Sequence, residues 1–336
     1  MNDKQNEILV IFTGGTIGSS VKNGIIAPDD AACDELLERF RREYGEDVVF
    51  TSLKPFSILS ENVTPEELSQ LCRVVEENRD KGYKVIIITY GSDTLSYATA
   101  FLGTAFRGRL TSPLVFVAGN KPLSDSTSNG FFNFSGAVWL IDYLSKSGFY
   151  NDVYAVWHDG SVFGAYRGTE LTEADAGGHN HGVFGGMTFA EFYPEGLSDT
   201  GENYRWRTVI NDKHEDRCGC DLSDEELGRF IEKDFEISGG VAAIRSYPGT
   251  DFERFCTEGL NAVLVYGFHS GTFPPGFYEF ARKMSDRKIK LYAGSFKKDA
   301  EAVYESVKDL GDCIRIEDMS FEAAYSYVLI KESIRN

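Results

Sequence analysis

Cysteine is sparse: six residues, at 33, 72, 218, 220, 256 and 313, in a chain of 336. That is too few and too scattered for a disulfide framework. Cys218-Gly219-Cys220 is the one cluster, and it lacks the two-residue spacer and the second pair of a zinc site. Positive charge is also short. Against 52 Asp and Glu stand 34 Lys and Arg, a formal net charge of -18. Such a chain is repelled by nucleic acid and by anionic membranes, so neither is expected as a partner. No apolar run reaches the roughly 20 residues of a bilayer-spanning helix. The first seven residues are polar and carry no signal-peptide pattern. A cytoplasmic, reduced protein without a metal is the expectation. The first glycine turn has neither GxxxxGK[ST] nor GxGxxG, which sets aside a phosphate loop and argues against a Rossmann dehydrogenase. No internal repeat or low-complexity run is present.

What the chain does have is two glycine turns, each following a strongly apolar run. Ile8-Leu9-Val10-Ile11-Phe12 precedes Thr13-Gly14-Gly15-Thr16-Ile17-Gly18, and Val85-Ile86-Ile87-Ile88-Thr89 precedes Tyr90-Gly91-Ser92-Asp93-Thr94-Leu95. Both runs read as strands buried on both faces, as in a parallel sheet. Ligands of open parallel sheets bind at the carboxyl ends of the strands, so both turns are expected at one crevice. They bring Thr16, Ser92, Asp93 and Thr94 there, a set suited to hydroxyl-nucleophile chemistry.

Elsewhere strands and helices alternate in the α/β manner. Asp30–Tyr44 has helical spacing, with Leu36, Leu37 and Phe40 on one side, and 47–56 reads as a strand. Ser19–Gly24 is polar and small and reads as a mobile loop. Thr64-Pro65 with Glu67 is a capping box opening a helix to about residue 80. Ser60, Glu61 and Asn62 ahead of it are either a solvated loop or part of the site. Asp93 either caps the following helix or faces the crevice. Leu114–Ala118 and 152–158 are further strands, with 134–144 a helix between them and 161–165 a hairpin partner. From 166 to 234 the pattern weakens. His179 and His181 there have no third ligand at helical spacing and read as surface loop. Domain one is assigned to 1–212, a charged linker to 213–238, and a second α/β domain to 239–336.

The order of motifs from residue 8 to about 330 resembles the bacterial-type L-asparaginase/glutaminase family. Thr13–Gly18 resembles its first signature and Tyr90–Leu95 its second, with Ser92 where threonine is usual. Ser60-Glu61-Asn62-Val63-Thr64-Pro65 resembles its substrate-carboxylate loop. Gly267-Phe268-His269-Ser270-Gly271 and Asp318–Ala324 resemble its second-domain motifs. The resemblance implies a two-domain α/β fold, an N-terminal Rossmann-like parallel sheet followed by a smaller α/β domain. It implies a homodimer or homotetramer, a small amide substrate, and no cofactor. It makes Thr16 the nucleophile, with Ser92 and Asp93 in the catalytic set. Gly15, Ser60, Glu61 and Gly91 bind substrate, Ser60 at the α-carboxylate and Asp93 with Glu61 at the α-amino group.

Three positions depart from that pattern. The family lysine that follows an Arg-x-Thr stretch falls on Glu170 or Leu171, and no lysine occurs between Lys146 and Lys213. A glutamate there places negative charge near Asp93 and disfavours ionisation of both. The loop tyrosine falls at about Ile25, which has no proton to relay. Asn129-Gly130 stands where Asp-Gly is common, and Lys121 is the candidate substitute cation. Two functions follow: hydrolysis of asparagine or a related amide through Thr16, or, as the rival, a weak or inactive homologue that binds an amino acid or another small ligand in the same crevice.

Overall fold

The computed structural model describes residues 7–147, 152–157, 161–164, 169–171, 183–185, 188–194, 204–208, 222–297, 302 and 304–335. The chain divides into two compact units, Met1–Asp216 and Arg217–Asn336.

In the first unit, apolar runs with no polar alternation become central strands. β1 (Glu7–Phe12) leads through the first glycine turn to β2 (Ser19–Lys22) and β3 (Ile25–Pro28). Then come α1 (Asp30–Tyr44), β4 (Val49–Leu53), α2 (Pro65–Asn78), β5 (Val85–Thr89), α3 (Leu95–Ala105), β6 (Leu114–Val117), α4 (Gly130–Ser147), β7 (Val153–Trp157) and β8 (Ser161–Gly164). β9 (Thr169–Leu171) pairs with β10 (Val183–Gly185), while β11 (Thr188–Pro194) and β12 (Tyr204–Thr208) extend the main sheet. That sheet has the order β12-β11-β8-β7-β6-β5-β1-β4. It is parallel from β4 to β7 and antiparallel beyond. All five residues of β5 are buried, as its sequence requires.

Each face of the sheet has its own layer. α1 and α4 share one core cluster with Val85, Ile87, Val115 and Val117, and α2 packs with α3. The sheet runs β5, β6, β7 in one direction, yet α3 and α4 do not share a layer. The two crossovers therefore have opposite hands, against the usual right-handed rule. α2 starts at a complete Thr64–Glu67 capping box with Pro65 in its first turn, and it buries Leu68, Leu71, Cys72 and Val75.

Residues 19–28, read from sequence in their first part as a mobile loop, form the β2–β3 hairpin. Asn23 (φ 55°) and Gly24 (φ 77°) make its two-residue turn. Two consecutive positive φ angles match the twist of a hairpin, and Asn-Gly adopts them readily.

The second unit opens with α5 (Asp224–Glu232), inside the stretch assigned from sequence to a linker. β13 (Val241–Arg245), β14 (Ala262–Tyr266), α6 (Phe277–Asp286), β15 (Lys290–Phe296), β16 (Ile314–Glu317) and α7 (Phe321–Arg335) follow. The strands form a parallel sheet in sequence order. α6 covers one side through Phe277, Phe280 and Met284. α7 contacts β13, β14, β15 and α5 and is buried along most of its length. Two of its buried charged residues form ion pairs: Lys331 Nζ with Glu226 of α5 at 3.1 Å, and Glu332 with Lys290 at 2.6 Å. Among the described residues no helix is long and apolar enough to cross a membrane.

Candidate active site

β1 lies between β4 and β5, so successive connections leave the β1–β5 pair in opposite directions. The carboxyl ends at such a reversal form a crevice. Both glycine turns are there, and three close contacts at glycines show how they are built.

Gly15 has φ 68° and ψ -179°, a conformation open essentially to glycine alone. A Cβ on Gly15 would lie 2.4 Å from the Gly91 nitrogen, so the two turns touch backbone to backbone. A Cβ on Gly91 would lie 2.3 Å from Ser60 Oγ. A Cβ on Gly14 would lie 2.3 Å from the Ile58 carbonyl oxygen. The Gly15 N–H donates to that carbonyl at 2.9 Å, and the Ile58 N–H donates to Thr13 O at 3.1 Å. Thr13 Oγ1 donates to Thr89 O at 2.7 Å and ties the two strand ends together. Three segments, 13–18, 58–62 and 90–94, thus interlock through close backbone approach. The glycines of the sequence motifs are explained by this approach.

The hydroxyl-bearing groups follow from the interlock. Ser60 lies in a 3-10 turn, Ser60–Asn62, and is buried. Its Oγ donates to Asp93 Oδ2 at 3.2 Å, while Ser92 Oγ lies 3.4 Å from Asp93 Oδ1 at the edge of hydrogen-bond reach. Asp93 does not cap α3. The cap position is Thr94, whose hydroxyl makes no capping bond and donates instead to Ser60 O at 3.1 Å. The sequence alternatives for Ser60 and Asp93 are therefore decided in one respect: the two side chains meet. Glu61 is exposed beside them.

Thr16 opens a 3-10 turn, Thr16–Gly18, and the turn is anchored on either side of its hydroxyl. Ser19 Oγ donates to Gly15 O at 2.7 Å, and a Cβ on Gly130 would lie 3.1 Å from Ile17. The Gly130 contact brings the 119–130 loop behind the turn. That loop is closed by a reciprocal amide clasp, Asn120 N–H to Asn129 Oδ1 at 2.8 Å and Asn129 N–H to Asn120 Oδ1 at 3.0 Å. Asn129 thus serves the backbone of its own loop. Lys121, the candidate substitute cation, is spent locally: Nζ lies 2.6 Å from Thr127 Oγ1 and 3.6 Å from Asp125.

The hairpin beyond Thr16 is fastened to α1. Asp29 caps α1, accepts from Ser20 Oγ at 2.7 Å and pairs with Lys22 at 3.2 Å. These bonds, Ser20 first, then the Ala31 N–H and Lys22, lower its pKa to about 2. Ile25 stands opposite Lys22 and is 68% exposed. Glu170 and Leu171 lie on β9, where Glu170 stands opposite Phe184 in backbone register. Cys218, Cys220, His179, His181 and 166–168 lie outside the described residues. Among those described, no three His, Cys, Asp or Glu side chains gather as a metal cluster. In the second unit, the 267–271 loop follows β14, with His269 exposed, and Asp318 precedes α7 at φ 53°.

Ile58 and Gly130 were not singled out as part of the site from sequence. Both act through backbone or a missing Cβ, which no residue pattern announces. Thr94, read from sequence as one of the hydroxyls at the crevice, is there bonded to the Ser60 carbonyl.

Residues 7–177 match the family model described as asparaginase, N-terminal. The chain is 26% identical over 292 residues to a glutamyl-tRNA(Gln) amidotransferase component of Sulfolobus acidocaldarius, spanning 83% of this chain and 59% of that protein. It is 33% identical over 130 residues to the component of the same name in Sulfurisphaera tokodaii, 38% of this chain and 29% of that one. The chain thus spans less than two thirds of the length of these curated relatives. Among solved structures, the thermostable L-asparaginase from Thermococcus kodakarensis superposes with a TM-score of 0.68 at 18% identity, covering 97% of this chain and 93% of that one. L-asparaginase I from Vibrio cholerae gives 0.64 at 18%, covering 98% and 97%. At such identity the likeness is one of fold.

Proposed function

Because this chain belongs to the asparaginase family, we propose that it is an amidohydrolase that cleaves the side-chain amide of L-asparagine, or of a related small amide, to the acid and ammonia. The observation that carries the proposal is the interlock of 13–18, 58–62 and 90–94, which gathers Ser60, Ser92 and Asp93 at the strand ends where Thr16 also emerges.

In this reading Thr16 Oγ attacks the amide carbon, the ammonia leaves, and water hydrolyses the resulting ester to regenerate the hydroxyl. Backbone N–H groups of the glycine turns stabilise the developing oxyanion. The Ser60 hydroxyl binds the α-carboxylate, and Asp93 with Glu61 holds the ammonium. Among the described residues Ser92 is the hydroxyl placed to carry the proton, since Ile25 has none to give and Lys121 is engaged elsewhere. The protein acts as a homodimer or homotetramer in the cytoplasm. The relatives named as amidotransferase components make L-glutamine the second amide to examine.

Ile25 and the Glu170–Leu171 segment also favour a second reading, a binding homologue with little or no turnover. Ammonia release from L-asparagine, L-glutamine and their D-enantiomers separates the two. The enzyme reading predicts turnover that falls by about 10³-fold or more in Thr16→Ala. Turnover no higher than in Thr16→Ala, together with measurable binding of L-aspartate, would establish the rival.

A further inference from the structure

Thr16 is held through the two peptide groups that flank it, and one residue, Ser19, reaches both. Ser19 Oγ donates to the Gly15 carbonyl at 2.7 Å, and the Ser19 N–H donates to the Thr16 carbonyl and closes the 3-10 turn. The Gly15 carbonyl also accepts from the Gly18 N–H at 3.1 Å, and the Gly18 carbonyl accepts from the Asp29 N–H at 2.9 Å. Ser19 opens β2 opposite Pro28 and is 2% exposed, so its hydroxyl makes this bond in the interior.

The backbone bonds of this set need no particular side chain at position 19, whereas the hydroxyl bond does. It falls on the softest point of the turn. Gly15 stands at φ 68° and ψ -179°, and a glycine lets the peptide plane beside it rotate at little steric cost. Without the Ser19 hydroxyl, the carbonyl of the 15–16 plane keeps only the 3.1 Å bond from Gly18. A peptide group is planar and trans, so a rotation of the Gly15 carbonyl carries the Thr16 N–H and the φ of Thr16 with it. Threonine has few χ1 positions, and the direction of its hydroxyl therefore follows its backbone.

We infer that Ser19 is a positioning residue for Thr16: its buried hydroxyl fixes the 15–16 peptide plane and thereby aims the Thr16 hydroxyl. The inference rests on the proposed function for its effect on turnover, while the hold on the turn is a property of the chain without substrate. Serine hydroxyls often bond a carbonyl four residues back. This one differs in that its acceptor is the carbonyl joined to Thr16. A serine that only supports the fold changes stability and leaves the turnover of folded molecules alone.

The test uses the full chain as wild type, Ser19→Ala and Ser19→Thr, with L-asparagine as substrate. Ser19→Ala leaves the Gly15 carbonyl with the Gly18 N–H as donor, so no buried acceptor is stranded and the variant is expected to fold. Its kcat is expected to fall about tenfold or more, since small misplacements of a reacting group are costly. Its KM is expected to change less than about twofold, because Ser60 and Asp93 stand on other segments. Ser19→Thr keeps the hydroxyl and is expected to hold kcat within about threefold of wild type. Amide hydrogen exchange of the segment 15–19 should quicken about threefold or more in Ser19→Ala and stay at the wild-type rate in Ser19→Thr. Thermal midpoints establish that each variant is folded at the assay temperature. A kcat in Ser19→Ala equal to wild type, a loss carried by KM, or an equal loss in Ser19→Thr overturns the inference and leaves the function standing. Wild type that releases no ammonia sinks the proposed function and leaves exchange to judge the hold on the turn. Faster exchange in Ser19→Ala alone then supports it, and equal exchange in all three proteins overturns it.

Discussion

At the level of single residues, the site is made by what certain positions lack. Gly15, Gly91 and Gly14 let three segments approach to distances that a Cβ forbids. Gly15→Ala is expected to destabilise the protein by about 2 kcal/mol or more, since strain at a glycine-only conformation adds to a clash with fixed backbone. Gly24→Ala is the control. Its φ is also positive, at 77°, yet nothing lies within 4 Å of the added Cβ. It should cost about 1 kcal/mol, the strain alone. Urea unfolding of the two variants measures the difference, and equal losses would show that contact between the turns is not what their glycines serve. The motif glycines and hydroxyls were legible in sequence because their types are rare at such points. Ile58 was not, for it contributes a carbonyl and an N–H that nearly every residue has. Lys121 looked available because sequence spacing does not reveal that Thr127 and Asp125 turn back to hold it.

Elements repeat this contrast. The capping box at Thr64 and the apolar runs of β1, β5 and β6 were readable because local chemistry decides them. The hairpin of β2 and β3 was missed despite Asn23-Gly24, because its short flanks lack the apolar alternation that marks a strand. α5 was hidden by its charge, although Ser223 and Glu226 form a capping box and Leu227 and Phe230 are buried. The opposed hands of the α3 and α4 crossovers have no local signature at all, and the general rule points the other way.

One element makes a prediction with pH. Asp29 joins α1 to the hairpin as a carboxylate with its pKa lowered to about 2. An unfolded aspartate titrates near 3.9. A depressed carboxylate adds stability that is fully present above the unfolded value and is lost as pH falls through the folded one. The stability difference between wild type and Asp29→Asn should therefore be constant above about pH 5 and vanish near the folded pKa of about 2. Thermal midpoints across that range measure it. A difference unchanged at the lowest pH would show that the charge of Asp29 is not what fastens the hairpin.

For the whole molecule, composition set limits and little more. A net charge of -18 sets an expectation about partners but says nothing about two units or their sheets. The order of motifs carried that information, and the two-unit α/β fold agrees with it. The assembly proposed above is checked by sedimentation equilibrium at micromolar concentration. A mass two or four times 37.4 kDa is expected, and a monomer at every concentration would contradict the proposal.

Chemistry in the crevice is the central claim, and Thr16 carries it. Incubation with an electrophilic analogue of L-asparagine, its reactive carbon in place of the side-chain amide, followed by peptide mass spectrometry, tests it most directly. A single stoichiometric adduct on the Thr16 hydroxyl, prevented by L-aspartate and absent in Thr16→Ala, is the predicted result. An adduct on another residue, or none in protein that releases ammonia, would contradict the account.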